Sequence, residues 1–134
     1  MKSFKLTIAT PDCIEFEGAV ESLLVRTAEG DAEILAGHAD FLSALGIGRA
    51  RITVDGEKRM AACSGGFVSV KKGEVSLVCT TFEFADKIDV NRAKAAKERT
   101  ESALSSSTDK ATEAVLKAKL ARACNRINVW EFRK

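Results

Sequence analysis

The 134-residue chain contains no tyrosine and only one histidine, one proline and one tryptophan. No apolar run approaches the eighteen or more residues that a membrane-spanning helix needs, so direct insertion into a bilayer is not expected. The opening Met1-Lys2-Ser3-Phe4-Lys5-Leu6 alternates polar and apolar residues. It lacks a signal peptide's continuous apolar stretch and is expected to belong to the mature fold. With His38 as the only imidazole, no Ser/His/Asp or Cys/His set can be assembled, although Cys13, Ser64 and several aspartates are present. No carboxylate pair has a spacing that implies acid–base work. The four cysteines, at 13, 63, 79 and 124, include no C-x-x-C pair, and most lie far from His38. Neither a metal centre nor a disulfide framework is expected; reduced thiols are, with Cys63 and Cys79 as small core residues. Gly65-Gly66 after Ser64 is too short to cradle a phosphate and lacks a following helix, so it reads as a bulge or tight turn. Nothing here supports an enzyme or a required cofactor.

A second absence divides the chain. All nine glycines and the proline lie before Phe84, and neither residue type occurs again. Upstream, short runs of Val, Ile, Leu and Phe are separated by turn residues. Strands are expected over residues 4–8, 13–17, 20–27, 32–35, 41–45, 48–54, 60–63, 67–70 and 75–80. Asp55-Gly56 is the strongest hairpin signal among the turns. Short strands at this density predict a β-sandwich or barrel over residues 1–84. Downstream, Ala, Lys, Glu and Arg dominate. One helix is expected over 89–104, the cluster Ser105-Ser106-Ser107-Thr108-Asp109 caps and reverses the chain, and a second helix runs to about Trp130. Leu116, Leu120, Ala123, Ile127 and Trp130 form its apolar stripe. The expected architecture is therefore α+β, an N-terminal all-β sandwich (1–84) followed by a C-terminal antiparallel two-helix hairpin (85–134). Hydrophobic residues at 46% and charged residues at 30% are globular composition. The first helix presents mainly alanine, and each Ala removes on the order of 1 kcal/mol or less of apolar surface from water. Weak packing of the hairpin follows.

The junction Ile88-Asp89-Val90-Asn91-Arg92-Ala93 reads as a helix start, with Asp89 as N-cap and Ile88 and Ala93 at staple spacing. Arg92 has no local role, because a cation in the first turn opposes the helix dipole. A hairpin folded symmetrically between 106 and 107 places Arg92 opposite Ala121 and Arg122, with Arg126 one turn further along. Three guanidiniums then gather near Glu83 and Asp89. Either they form a salt-bridged surface with Glu83, Asp86 and Asp89, or they hold a phosphate-bearing ligand. Charge is divided too. Residues 1–84 hold nine Lys/Arg against twelve Asp/Glu, and residues 85–134 hold twelve against seven. A basic tail on an acidic body is suited to an anionic partner. A small β-barrel nucleic-acid-binding module with a basic tail is a second reading. The missing tyrosine, the absence of an aromatic stacking platform and the acidic body weigh against it.

Four motifs in this order carry a resemblance over essentially the whole chain. They are Phe4-Lys5-Leu6-Thr7-Ile8-Ala9-Thr10-Pro11-Asp12, Gly30-Asp31-Ala32-Glu33-Ile34-Leu35-Ala36-Gly37-His38, Ser64-Gly65-Gly66-Phe67-Val68-Ser69-Val70 and Ile88-Asp89-Val90-Asn91-Arg92-Ala93. With the Ala-rich tail, they resemble the epsilon subunit family of bacterial F-type ATP synthases. The resemblance implies a non-catalytic rotor subunit on the cytoplasmic face of the bacterial cell membrane. Its sandwich would bind the gamma subunit and the c-ring, with Glu29, Gly30, Asp31, Gly37 and His38 on the contact surface. Its tail would regulate hydrolysis, compact in one state and extended toward the alpha/beta catalytic hexamer in the other. Some members bind ATP as a regulatory ligand on the compact hairpin. By that likeness Ile88, Asp89, Arg92 and Ala93, the second-helix residues Arg122 and Arg126, and also Glu83 and Arg99 are the nucleotide-site candidates.

Overall fold

A computed structural model describes residues 2–107 and 109–132; Thr108 of the turn cluster and the tail cations Arg133 and Lys134 lie outside the described residues. The chain order is β1 (Phe4–Ala9), β2 (Ile14–Val20), β3 (Ser22–Thr27), β4 (Gly30–Leu35), β5 (Phe41–Val54), β6 (Glu57–Ser64), β7 (Phe67–Lys71), β8 (Glu74–Val78), β9 (Thr81–Phe84), one 3₁₀ turn (Ala85–Lys87), α1 (Val90–Ser106) and α2 (Lys110–Glu131). One sheet runs β2-β1-β8-β7 and ends on the first part of β5. The other runs β4-β3, then the second part of β5, then β6 and β9. All pairings are antiparallel except β1 with β8. Alternating residues meet between the sheets: Leu6 and Ile8, Leu23 and Val25, Ile34, Ile52, Val68 and Leu77 are all almost fully buried. At about 1.5–3 kcal/mol for each such side chain, this layer dominates the stability of the fold.

The expected sandwich is present, with three differences in its strands. Residues 41–45 and 48–54 form one strand, because Gly46 and Gly48 bend β5 from one sheet into the other without ending it. Gly18 lies inside β2, paired with Leu6, and the break comes at Glu21. β9 was not expected as a strand at all. Its Phe82 and Phe84 are buried and meet edge to face, with centroids 5.0 Å apart. Asp55 and Gly56, at φ 51° and 79°, make the expected two-residue hairpin turn. Gly66 has φ 90°, and a Cβ there would come within 1.8 Å of the Val78 carbonyl oxygen, so the tight turn admits only glycine. Cys63 and Cys79 are buried with their sulfurs 3.1 Å apart. The contact with Cys63 and burial push the Cys79 thiol up.

Both helices begin at aspartate caps. The Asp89 Oδ1 accepts the Arg92 backbone N–H at 3.1 Å. The Asp109 carboxylate accepts the Thr112 hydroxyl at 2.9 Å and the Ala111 N–H at 3.2 Å. Ala93 and Thr100 are buried on α1, and Ala123, Ile127 and Val129 on α2. The Thr100 hydroxyl donates to the Ala96 carbonyl at 2.7 Å and so enters the interface without an unmet polar group. The hairpin meets the sandwich at a small second cluster of Ala62, Ala85, Ile88 and Val129, with Met60 and Trp130 beside it.

Two outcomes follow from this construction. A chain ending at Asp86 is expected to unfold cooperatively in urea, since the inter-sheet core lies upstream; a gradual, probe-dependent transition would show that the sandwich needs the hairpin. The Asp109 carboxyl is held below its ordinary range, chiefly by the Thr112 hydroxyl and then by the Ala111 N–H. Its contribution is therefore present above the unfolded-state value and is lost as pH falls below about 4. Asp109→Ala is expected to lower α2 helicity at neutral pH and to flatten its acid dependence in far-UV circular dichroism.

Candidate functional site

The hairpin carries two adjoining cavities. One, of about 470 Å³, is lined by Glu83, Lys87, Asp89, Arg92, Ala93, Ala96, Arg99 and Arg126. The other, of about 420 Å³, lies between the helices and is lined by Ala96, Arg99, Thr100, Ala103, Leu116, Lys119, Arg122, Ala123 and Arg126. Ala96, Arg99 and Arg126 belong to both, so the two form one continuous groove. Its ends differ in charge. The interhelical end is lined by four cations and no carboxylate; the end beside β9 adds Glu83 and Asp89. Small residues at 93, 96, 103 and 123 leave the space, and the arginine stems wall it.

The structure places the candidate residues unevenly. Asp89 caps α1 and lines the groove at its foot. Arg126 reaches across to β9, where its Nε donates to the Glu83 Oε1 at 2.6 Å. That ion pair belongs to the salt-bridged alternative. Among the described residues, however, the guanidiniums of Arg92, Arg99 and Arg122 have no carboxylate within ion-pair distance. Ile88 does not line either cavity; it is buried in the apolar seam with Val129. The symmetric pairing of Arg92 with Arg122 is corrected. α1 continues to Ser106 and α2 starts at Lys110, so the reversal lies further along and the facing residues shift toward Arg126. Arg92 shares its cavity with Arg99 and Arg126, while Arg122 stands in the neighbouring one. Arg99 thus sits at the centre of the groove, which helix spacing alone did not indicate.

On the sandwich, Glu29, Gly30 and Asp31 stand at the start of β4, which lies at the end of the strand order. The Thr27 hydroxyl donates to the Gly30 carbonyl and accepts the Glu29 N–H, and Asp31 pairs with Arg26 at 2.6 Å. Gly37 and His38 follow the other end of the strand, where the His38 N–H donates to the Leu35 carbonyl. Six residues of strand, about 17 Å, separate the two loops, so they are two contact points rather than one. Sequence reading missed a third feature. Across the outer face of one sheet, Ala44, Phe67, Val78, Ala9 and Ile14 are successive cross-strand neighbours. Phe67 and Ile14 are well exposed, and Leu42 beside them is 71% exposed. Only the register aligns these residues, and the sequence pattern does not supply it.

Comparison with known proteins accounts for both halves. Residues 3–85 match the beta-sandwich domain of the ATP synthase delta/epsilon chain, and residues 86–131 match its long alpha-helix domain. An ATP synthase epsilon chain from Bacillus pumilus is 40% identical over 131 residues, covering 96% of this chain and 98% of that one. One from Caldicellulosiruptor saccharolyticus is 36% identical over 134 residues, covering 100% and 98%. Among solved structures, a chain of the Euglena gracilis mitochondrial ATP synthase (OSCP/F1/c-ring) superimposes with a TM-score of 0.78 at 27% identity, covering 89% of this chain and 76% of that one. A chain of the Tetrahymena thermophila enzyme's central stalk and c-ring shares the fold at a TM-score of 0.62 and 14% identity. Fold and relatives together define a class, the small sandwich-plus-hairpin subunits of rotary ATP synthases. The chain belongs to the ATP synthase delta/epsilon family. It is accordingly a non-catalytic subunit of that complex. No helix among the described residues is long and apolar enough to cross a membrane.

Trp130, the only tryptophan, packs against the seam cluster, so its emission reports docking of α2. Polar contacts also join that seam: the Asn125 Nδ2 donates to the Gly48 carbonyl at 2.8 Å, and Arg126 pairs with Glu83. Asn125→Ala is expected to red-shift the emission. A hydrogen bond of about 1 kcal/mol corresponds to a roughly fivefold larger undocked population. Lys94→Ala, on the exposed side of α1, is expected to leave it unchanged. Equal spectra for all three proteins would mean that the Asn125 hydrogen bond does not help to hold the hairpin.

Proposed function

We propose that this chain is a rotor subunit on the cytoplasmic face of a bacterial membrane, joining gamma to the c-ring and regulating hydrolysis through its hairpin. The likeness to chains of an F1/c-ring complex and of a central stalk with its c-ring supports the assembly. The sandwich offers an apolar row centred on Phe67 and the two loops flanking β4 as surfaces for these partners. A released tail, with its excess of cations, is suited to acidic segments of the alpha/beta hexamer.

The observation that carries the regulatory reading is the continuous groove with its graded charge. ATP fits it in one orientation. The triphosphate takes the carboxylate-free end with Arg99, Lys119, Arg122 and Arg126, and the base takes the end where Glu83 and Asp89 can accept from its amino group. Both helices and β9 line the groove, so it exists only while the hairpin is docked. The ligand then shifts the hairpin by its differential affinity for the two states. At ATP 100 times the dissociation constant the bias is about 2.7 kcal/mol. That carries an evenly balanced hairpin almost wholly to the docked side, but does not reverse a preference of about 5.5 kcal/mol.

Titration of the isolated protein with ATP, followed by amide chemical shifts, tests this reading. Saturable shifts are expected along both helices, weakened about tenfold or more in Arg99→Ala, which loses charge-assisted contacts to the triphosphate. A reconstituted complex carrying a chain that ends at Asp86 is expected to hydrolyse ATP faster than one carrying the full chain. Absence of any saturable change up to several millimolar ATP would leave the groove as a structural cluster of cations.

A further inference from the structure

Arg122 faces two ways. On one side it lines the interhelical groove. On the other it closes a separate cavity of about 400 Å³ at the joint between α2 and the sandwich, whose walls include Ser64, Gly65, Thr80 and Thr81. Leu45, Gly46 and Ile47 also line this cavity, and among the described residues no carboxylate does. A narrow gap beneath joins the same arginine to Ser64 and Thr81.

The polar groups here are left with capacity to donate. Among the described residues, the Arg122 guanidinium makes no ion pair and no hydrogen bond, although the residue is half-buried. Ser64 and Thr81 face each other across the β6–β9 ladder with their hydroxyl oxygens 2.5 Å apart. Such a pair spends one hydroxyl hydrogen on itself and keeps the other. Among the described residues the hydroxyl of the exposed Thr80 has no protein partner, and its backbone N–H is already committed to the Ser64 carbonyl. Gly65 gives this hydroxyl its room, because a Cβ there would meet the Thr80 Oγ1 at 2.5 Å. The result is a cavity lined by an arginine and three hydroxyl side chains, with no carboxylate among its described lining residues. No aromatic residue lines the space, so nothing in it stacks on a base.

We infer that this cavity binds a small tetrahedral oxyanion of the phosphate class. Arg122 engages two of its oxygens from the helix side, and from the sandwich side the Thr80 hydroxyl and the one remaining hydroxyl hydrogen of the Ser64–Thr81 pair donate. Because its ligands come from both parts of the chain, the bound anion is a clamp that holds α2 docked. This does not rest on nucleotide binding: Thr80 and Thr81 line neither cavity of the hairpin groove.

Titration of the full chain with inorganic phosphate at constant ionic strength tests the inference. Saturable amide shifts are expected at Ser64, Gly65, Thr80 and Thr81, together with slower hydrogen exchange along α2. Sulfate is expected to reproduce both, and chloride neither. Arg122→Ala should weaken phosphate about tenfold or more, the loss expected for a charge-assisted contact. The double variant Thr80→Val/Thr81→Val should weaken it comparably while leaving the response to ATP unchanged. Three results would each overturn the inference: shifts that follow ionic strength alone, shifts confined to the residues around Arg92 and Arg99, or wild-type phosphate affinity in the double variant.

Discussion

Glu83 and Arg126 meet at 2.6 Å across the joint between the sandwich and α2, and the hairpin's position depends on that joint. Around the ion pair lie a side-chain hydrogen bond, from Asn125 to the Gly48 carbonyl, and an apolar seam whose buried members include Ala62, Ala85, Ile88 and Val129. Two of those four are alanines. The inter-sheet core, in contrast, has Leu6, Ile8, Leu23, Ile34, Ile52 and Leu77 almost wholly removed from water. The disparity in buried area makes the sandwich the rigid part and the hairpin the part that a modest free energy can move.

Residues of this joint also line the groove. Arg126 is both a docking contact and a wall of the groove, and Glu83 is its partner and the acceptor at the groove's end. A nucleotide that recruits Arg126 must either share it with Glu83 or replace that pairing. Occupancy therefore acts on the same contacts that hold the helices down. Arg122, one turn earlier on α2, looks both into the groove and toward the hydroxyl wall of Ser64, Thr80 and Thr81. A single helical turn thus carries the cations on which both the proposed nucleotide site and the proposed oxyanion site rest.

Much of this was legible in the residues. The disappearance of Gly and Pro after residue 84 marked the change from sheet to helix, because only the sandwich needs tight turns and left-handed backbone. Asp89 was readable as a cap, since its role is settled within four residues. What failed was everything set by long-range register. β9 was too short to announce itself, and β5 appeared as two strands because glycine reads as a break when it is in fact a bend. The position of Arg99 depended on where the hairpin turns, and a displacement of a few residues exchanged its place with that of Arg122. The apolar row through Phe67 joins five strands from distant parts of the chain, and no local pattern contains it.

The central claim is that the hairpin opens from the sandwich without unfolding it. Native-state hydrogen exchange of the full chain, resolved by residue across a series of low denaturant concentrations, measures this directly. The account predicts that amides of α1 and α2 exchange together through one opening. Its free energy should be well below that of the amides paired across β3, β5 and β6, and it should depend only weakly on denaturant, because the seam exposes little surface. If the helical amides were as protected as those of the sandwich core, with the same denaturant dependence, the two would form one cooperative unit and the account would be contradicted.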